Sequence, residues 1–162
     1  KNAVGVKTVT ATNGTIGGTI NLNVLTQLFV AAGERSARDQ GVWVMHPGAY
    51  ANVIGMTDTN GQPVVRFGTV EGTPAGTLIG RPIIVTNRLA TTTVGAGTNL
   101  VSNLYFGPPS AMIYGNRQGF RWEVTDQVSS ATYQADCRMV GRFAYATGVP
   151  AAWAMCSNVK SV

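Results

Sequence analysis

The chain has 162 residues, 44% of them hydrophobic, and carries twelve Lys and Arg against seven Asp and Glu, a formal charge of +5. That size and apolar content fit one domain, or one domain with an appendage, and exclude a disordered chain. Only 12% of the residues are charged, about half the usual globular share, so either Thr, Asn, Ser and Gln keep the surface wet or much of it faces other protein.

The basic residues are scattered, with Arg117, Arg121, Arg138 and Arg142 as the longest cluster. A nucleic-acid binder usually has a denser stripe, so the charge permits contact with a polyanion without specifying it. The two cysteines, Cys137 and Cys156, lie in apolar surroundings without a Cys-x-x-Cys pair, and buried free thiols are expected in preference to a bridge. No signal-peptide pattern and no apolar run long enough for a bilayer is present. The start at Lys1-Asn2, without Met, suggests a processed product or an excised fragment.

Residues 1–20 alternate loosely through Val4, Val6 and Val9 and end in turn-forming glycines. They are expected as an edge strand or extended lead-in. A helix is predicted over Leu22–Gln40, with Asn21 as N-cap, Leu22, Leu25, Leu28, Phe29 and Ala32 on one apolar stripe, Arg35 and Arg38 near its C-terminal end and Gly41 as its stop. Val42–His46 reads as a strand, and Pro47 opens a short helix from Gly48 to Ile54. Asp58-Thr59-Asn60-Gly61 is a strong turn before the strand Pro63–Phe67, and Gly68–Gly76 is a loop.

The run Thr77–Asn87 organises the chain: a short strand, a kink or bulge at Gly80, then Ile83-Ile84-Val85, which lacks polar alternation and is expected to be covered on both faces. Pro82 donates no hydrogen bond and belongs at a strand start or edge. Ala90–Asn99 is predicted as a small-residue loop, too long for a tight hairpin. Leu100–Phe106 is a strand; Ser110–Tyr114 is extended; Gly115-Asn116 and Gln118-Gly119 read as turns; Phe120–Val124 and Tyr133–Tyr145 are strands that would pair as a long ribbon. After the Gly148-Val149-Pro150 break, Ala151–Cys156 is a final buried strand with a tail behind it. Helix, strand, helix and then many strands make an α+β fold with a mixed sheet.

Catalytic patterns are absent: no Gly-x-Ser-x-Gly, His-Glu-x-x-His, phosphate-binding loop or Gly-x-Gly-x-x-Gly occurs. His46, the one histidine, lacks an accompanying nucleophile motif and reads as a strand-end residue with one ring nitrogen satisfied. Glu123 and Asp126 read as a solvated turn rather than a paired-carboxylate site, and the Asp58 turn lacks the remaining ligands of a calcium loop. Trp43, Trp122, Trp153, Tyr105 and Tyr114 lie in separate strands and are expected in the core rather than on a stacking platform. No catalytic residue, cofactor or metal is therefore assigned. Arg117, Arg121, Glu123, Arg138 and Arg142 are the candidate subunit-interface residues. A ribbon short of core would offer them to a neighbour for ion pairs, the alternative being plain solubilising charge.

An ordered set of motifs over about residues 21–155 resembles the C-terminal part of the major capsid proteins of tailed phages, the Hong Kong 97 fold. Val42-Trp43-Val44-Met45-His46-Pro47 is similar to the family's strand and Asn-Pro step before a short helix. The Asp58–Gly61 turn follows, and Leu78–Thr86 resembles its Leu-Gly-x-Pro-Val-x-x-(Ser/Thr) pattern. Leu104-Tyr105-Phe106-Gly107 is similar to its Phe-Gly strand, and Asn116-Arg117 stands for Asp-Arg in its x-Ile-x-Asp-Arg-x-Gly turn. Arg138–Pro150 is similar to its Arg-rich last long strand, ending at a Pro-Ala step.

The resemblance implies an axial domain with a mixed central sheet and flanking helices at 20–118 and 149–162, a lead-in at 1–19, and a peripheral-domain β-ribbon at 119–148. The 90–99 loop would point to the capsomer axis. The family's N-terminal arm, extended loop and long spine helix have no counterpart here, and residues 139–149 hold no acid, so no cross-linking chemistry is carried over. The implied function is a major capsid protein, as a fragment or processed core. It would self-assemble into pentamers and hexamers of an icosahedral phage or prophage shell built in the host cytoplasm. Its partners would be its own copies, with packaged DNA, decoration proteins or scaffold proteins beside them and no membrane. An encapsulin-type compartment shell and a ligand- or carbohydrate-binding β-rich module are the alternatives.

Overall fold

The computed structural model describes residues 7–10, 18–33, 35–67, 76–94, 99–125 and 136–161. Residues 68–75 of the predicted 68–76 loop, the strand start at Tyr133 and the acid Asp126 lie outside them. The chain divides into two compact units, residues 1–111 with 149–162 and residues 112–148.

The larger unit is organised on a mixed sheet. Its strands are β1 (Lys7–Thr10), β2 (Val42–Met45), β3 (Val65–Arg66), β4 (Thr77–Leu78), β5 (Arg81–Val85), β6 (Thr91–Val94), β7 (Asn99–Gly107) and β10 (Ala154–Ser161). They run in the order β1-β10-β7-β2-β5-β4-β3, with β6 also paired to β7. β2–β5 and β1–β10 are parallel and the other pairs antiparallel. Register aligns Ile83, Trp43, Phe106 and Ala154 across four neighbouring strands, and all four are buried.

Helix α1 (Leu22–Ala31) adds Val24, Leu25 and Leu28 to this core. Its Phe29 ring lies 5.2 Å from that of Phe106, which lies 4.4 Å from Trp43. Asn21 caps it as expected, its side chain accepting from the Val24 N–H at 2.9 Å. The buried Trp43 indole donates to the Leu78 carbonyl at 2.9 Å, fixing β2 to the β4–β5 hairpin.

Five expectations change here. The predicted Leu22–Gln40 helix is two helices, α1 and α2 (Arg35–Gln40), separated at Ala32-Gly33. Gly inside a helix costs about 1 kcal/mol relative to Ala, and the apolar stripe that would offset that stops at Ala32. Gly80 is not a kink within a strand. Ile79 (φ +50°) and Gly80 (φ +69°) form the two-residue turn of the β4–β5 hairpin, a mirror-image turn that matches strand twist. Ile84 is 46% exposed, so β5 is covered on one face only. Thr91–Val94 is a strand, paired from Thr91↔Ser102 to Val94↔Asn99, where a loop was expected. The final strand runs to Ser161, past the predicted end at Cys156. It passes an irregularity at Asn158 (φ +56°) and re-pairs through Val159↔Ser102 because Val159 is fully buried.

Other readings hold. The Asp58 carboxylate accepts from the Asn60 and Gln62 N–H groups at 2.8 and 2.9 Å, and Gly61 supplies φ +75°. Pro82 is the second residue of β5 and faces Thr77. Trp153 lies over Gly107, with no room there for a side chain.

Candidate assembly surface

The second unit is one antiparallel ribbon, β8 (Met112–Thr125) with β9 (Asp136–Thr147). The predicted turns at Gly115-Asn116 and Gln118-Gly119 do not form. β8 passes through both as a continuous strand and absorbs two extra residues in register shifts between Asn116 and Gln118 and between Gln118 and Arg121. Bulges do this locally without ending a ladder.

Register and the period of two sort the ribbon's side chains onto two faces. On one face Met112, Tyr114, Asn116, Trp122 and Val124 lie opposite Thr147, Tyr145, Phe143, Met139 and Cys137. Phe120 joins them by covering Gly141, where an added Cβ would meet its ring at 3.0 Å. Ring centroids of Tyr114, Phe143 and Tyr145 lie 5.1 to 6.4 Å apart. The eight large apolar side chains on this face, Met112, Tyr114, Phe120, Trp122, Val124, Met139, Phe143 and Tyr145, are each 54–73% exposed. Single exposed apolar residues need no explanation, but a contiguous set does.

Trp122 and Tyr114 were expected in the core and are on this surface, whereas Trp43 and Trp153 are buried as expected. Among the described residues of this unit the sheet has two strands and no second layer to bury them. Cys137 is likewise exposed rather than buried; Cys156 is buried, and the two are not joined in a disulfide.

The polar face carries Gln118, Arg121, Glu123, Arg138 and Arg142. Glu123 faces Arg138 across the ladder, with both Nε and Nη2 of Arg138 2.5 Å from Oε2, and Arg121 Nε lies 3.5 Å from Oε1. One carboxylate thus serves two guanidiniums inside a single ribbon. Arg117 occupies the first bulge and lines a shallow hollow with Arg142. Neither has an acidic partner among the described residues.

Nothing comparable gathers at His46. It caps helix α3 (Pro47–Ile54), its Nδ1 accepting from the Gly48 N–H at 3.2 Å and lying 2.9 Å from Ser161 Oγ. An Nδ1 that accepts from Gly48 also accepts from the Ser161 hydroxyl, which leaves the proton on Nε2. The hydroxyl is held as a donor and β10 is latched to α3, helped by Asn52 Nδ2 donating to the Lys160 carbonyl at 2.9 Å. A hollow of about 640 Å³ in the sheet unit is lined by Leu22, Asp58, Arg66 and Ile79 among others and not by His46. Among the described residues no three His, Cys, Asp or Glu side chains converge as metal ligands, and no helix is long and apolar enough to cross a membrane.

A model of the phage capsid family matches residues 2–154. The chain belongs to the phage capsid family. No curated protein matches this family member in sequence. Among solved structures it is similar to the capsid of a native GTA particle, with a TM-score of 0.69 and 19% identity over 95% of this chain and 50% of the other. It is similar to the holo-SrpI encapsulin complex of Synechococcus elongatus PCC 7942, at 0.69 and 17% over 99% of this chain and 55% of the other. It is also similar to the Mycobacterium phage Che8 structure, at 0.58 and 12% over 88% of this chain and 54% of the other. At these identities the likeness is one of fold: the Hong Kong 97-type α+β capsid fold, with its mixed central sheet and few helices. The capsid-family chain spans about half the length of these structures.

Proposed function

We propose that the chain is a phage major capsid protein, or a portion of one, whose work is self-assembly. In that reading residues 20–118 and 149–162 act as the axial-type domain, 1–19 as a lead-in and 119–148 as the peripheral ribbon. The 90–99 segment is directed to the capsomer axis. Copies associate in pentamers and hexamers of a virion shell assembled in the host cytoplasm, and the chain is not an enzyme.

The observation that carries this is the ribbon's face of eight exposed large apolar side chains in a chain of the capsid family. An isolated two-stranded hairpin is marginal in water and needs packing from outside itself, and many weak contacts of one kind add through multivalency. Packaged DNA is a further partner that the +5 charge permits without specifying. Decoration or scaffold proteins complete the set the family resemblance implies.

The full reading frame should be expressed and its particles imaged by electron microscopy. Wild type is expected to give closed shells. Trp122→Asp with Phe143→Asp, folded by circular dichroism, is expected to give none. Normal shells from that variant would remove the ribbon from the interface, and soluble wild-type monomers at every concentration would remove the shell reading itself.

An encapsulin-type shell is the second reading, favoured by a fold likeness as close to the encapsulin as to the GTA capsid. Nuclease-protected DNA inside the particles supports the phage reading, and a protein cargo supports the other.

A further inference from the structure

The four ribbon arginines are not equivalent. Arg121 and Arg138 share Glu123. Arg117 and Arg142 border one hollow of about 450 Å³, together with Gly115, Asn116, Phe143 and Ala144. Two like charges beside one depression destabilise each other unless an anion lies between them. Gly115 and Ala144 leave the floor low, and the bulge at Arg117 sets its backbone out of the regular ladder.

We propose that this hollow receives a carboxylate from an acidic protein segment of a neighbouring molecule. The proposal rests on the self-assembly reading for the identity of the neighbour, but the chemistry of the hollow stands by itself. Guanidiniums recognise carboxylates through paired, charge-assisted hydrogen bonds, and two of them converging on one anion provide strength and direction. A carboxylate fits better than a nucleic-acid backbone. A polyanion needs a continuous basic stripe, and here the stripe is interrupted where Glu123 neutralises Arg121 and Arg138.

The test is fluorescence anisotropy of the whole chain with a labelled hexaglutamate peptide, beside a single-stranded oligothymidylate of equal charge. The peptide is expected to bind in a salt-dependent way. Arg117→Gln with Arg142→Gln should weaken it on the order of tenfold, as expected for loss of charge-assisted bonds. Arg117→Lys with Arg142→Lys should retain part of the affinity. Arg121→Gln with Arg138→Gln, which touches only the internal pair, should stay within about twofold, the scale of an exposed ion pair. Melting curves confirm that each variant is folded. Equal peptide affinity in wild type and the Arg117/Arg142 double variant overturns the proposal. So does a preference for the oligothymidylate that the same double variant abolishes, which would assign the hollow to phosphate. Because binding is read rather than particle formation, these outcomes are separate from success or failure of the shell reading.

Discussion

Gly107 closes strand β7 beneath the Trp153 indole, near both points in the sequence where the chain passes to and from the ribbon. A Cβ built at Gly107 would lie 2.4, 2.7 and 2.9 Å from the Trp153 ring atoms Cδ2, Cε3 and Cε2. Those atoms belong to a rigid ring that is only 7% exposed, so the contact cannot be relieved by swinging a flexible side-chain end. The ring must shift by about 1 Å to reach ordinary contact distance, and overpacking of this kind costs about 1–3 kcal/mol. At this chain length each kcal/mol lowers Tm by about 2–4 °C, so Gly107→Ala should lower it by several degrees. Trp153→Ala alone should cost about 3–5 kcal/mol through lost burial and the cavity left behind. The decisive measurement is the double-mutant cycle, read by urea unfolding. With the indole gone, the three closest contacts of the added Cβ are removed, and Gly107→Ala should cost markedly less than in the wild type, approaching neutral. An equal cost of Gly107→Ala in both backgrounds would refute the steric argument.

Ile79 holds a β-branched side chain at φ +50° in the β4–β5 turn, where Asn-Gly is the preferred pair; Ile79→Asn should raise stability by about 1 kcal/mol in thermal or chemical melts. Cys137 is exposed and Cys156 buried, so a thiol-reactive dye should label one cysteine of the native chain quickly and the second only on unfolding, with peptide mapping to assign them. Asn21→Ala removes the side-chain acceptor for the Val24 N–H and should cost about 1 kcal/mol in urea titrations, whereas Asn21→Asp should stay within a few tenths. Glu123→Gln leaves Arg121 and Arg138 without their shared anion; the pair is largely solvent-exposed, so the loss should be no more than about 1 kcal/mol and should shrink with added salt.

What the sequence made legible was local chemistry with a local cause. Asn21 before an apolar stripe gave the start of α1, Asp58-Thr59-Asn60-Gly61 gave a turn closed by its own carboxylate, and Pro47 gave the first turn of α3. What stayed hidden depended on distant partners. Gly115-Asn116 and Gln118-Gly119 carry turn chemistry, yet β8 stays paired with β9 through both, Gly115 and Asn116 in register and the bulges falling between Asn116 and Gln118 and between Gln118 and Arg121. Cys156 looked like the end of a strand because Ser157-Asn158 is polar, but Val159 finds a buried place beside β7 and the strand resumes. Trp122 and Tyr114 look like core because their neighbours are apolar. Their exposure of 70% and 56% follows from their place in a two-stranded ribbon, and no residue within the strand records that. The interface candidates split for the same reason: Glu123 is tied to Arg138 by a cross-strand register that sequence spacing does not fix.

The two units therefore hold together on different physical terms. The sheet unit surrounds Trp43, Phe106, Leu25 and Leu28 with its own helices and strands, and each of these side chains is fully buried. The ribbon gathers eight large apolar side chains on one face and sets Arg121, Glu123, Arg138 and Arg142 on the other, and each of those eight stays more than half exposed. About 25 cal/mol is available for each further Å² of that face removed from water. A neighbour that covers the aromatic face would stabilise the ribbon and the association with the same contacts. In the proposed assembly that coupling would tie the ribbon's order to its neighbours, and it would account for the apolar surface carried by a chain with only 12% charged residues.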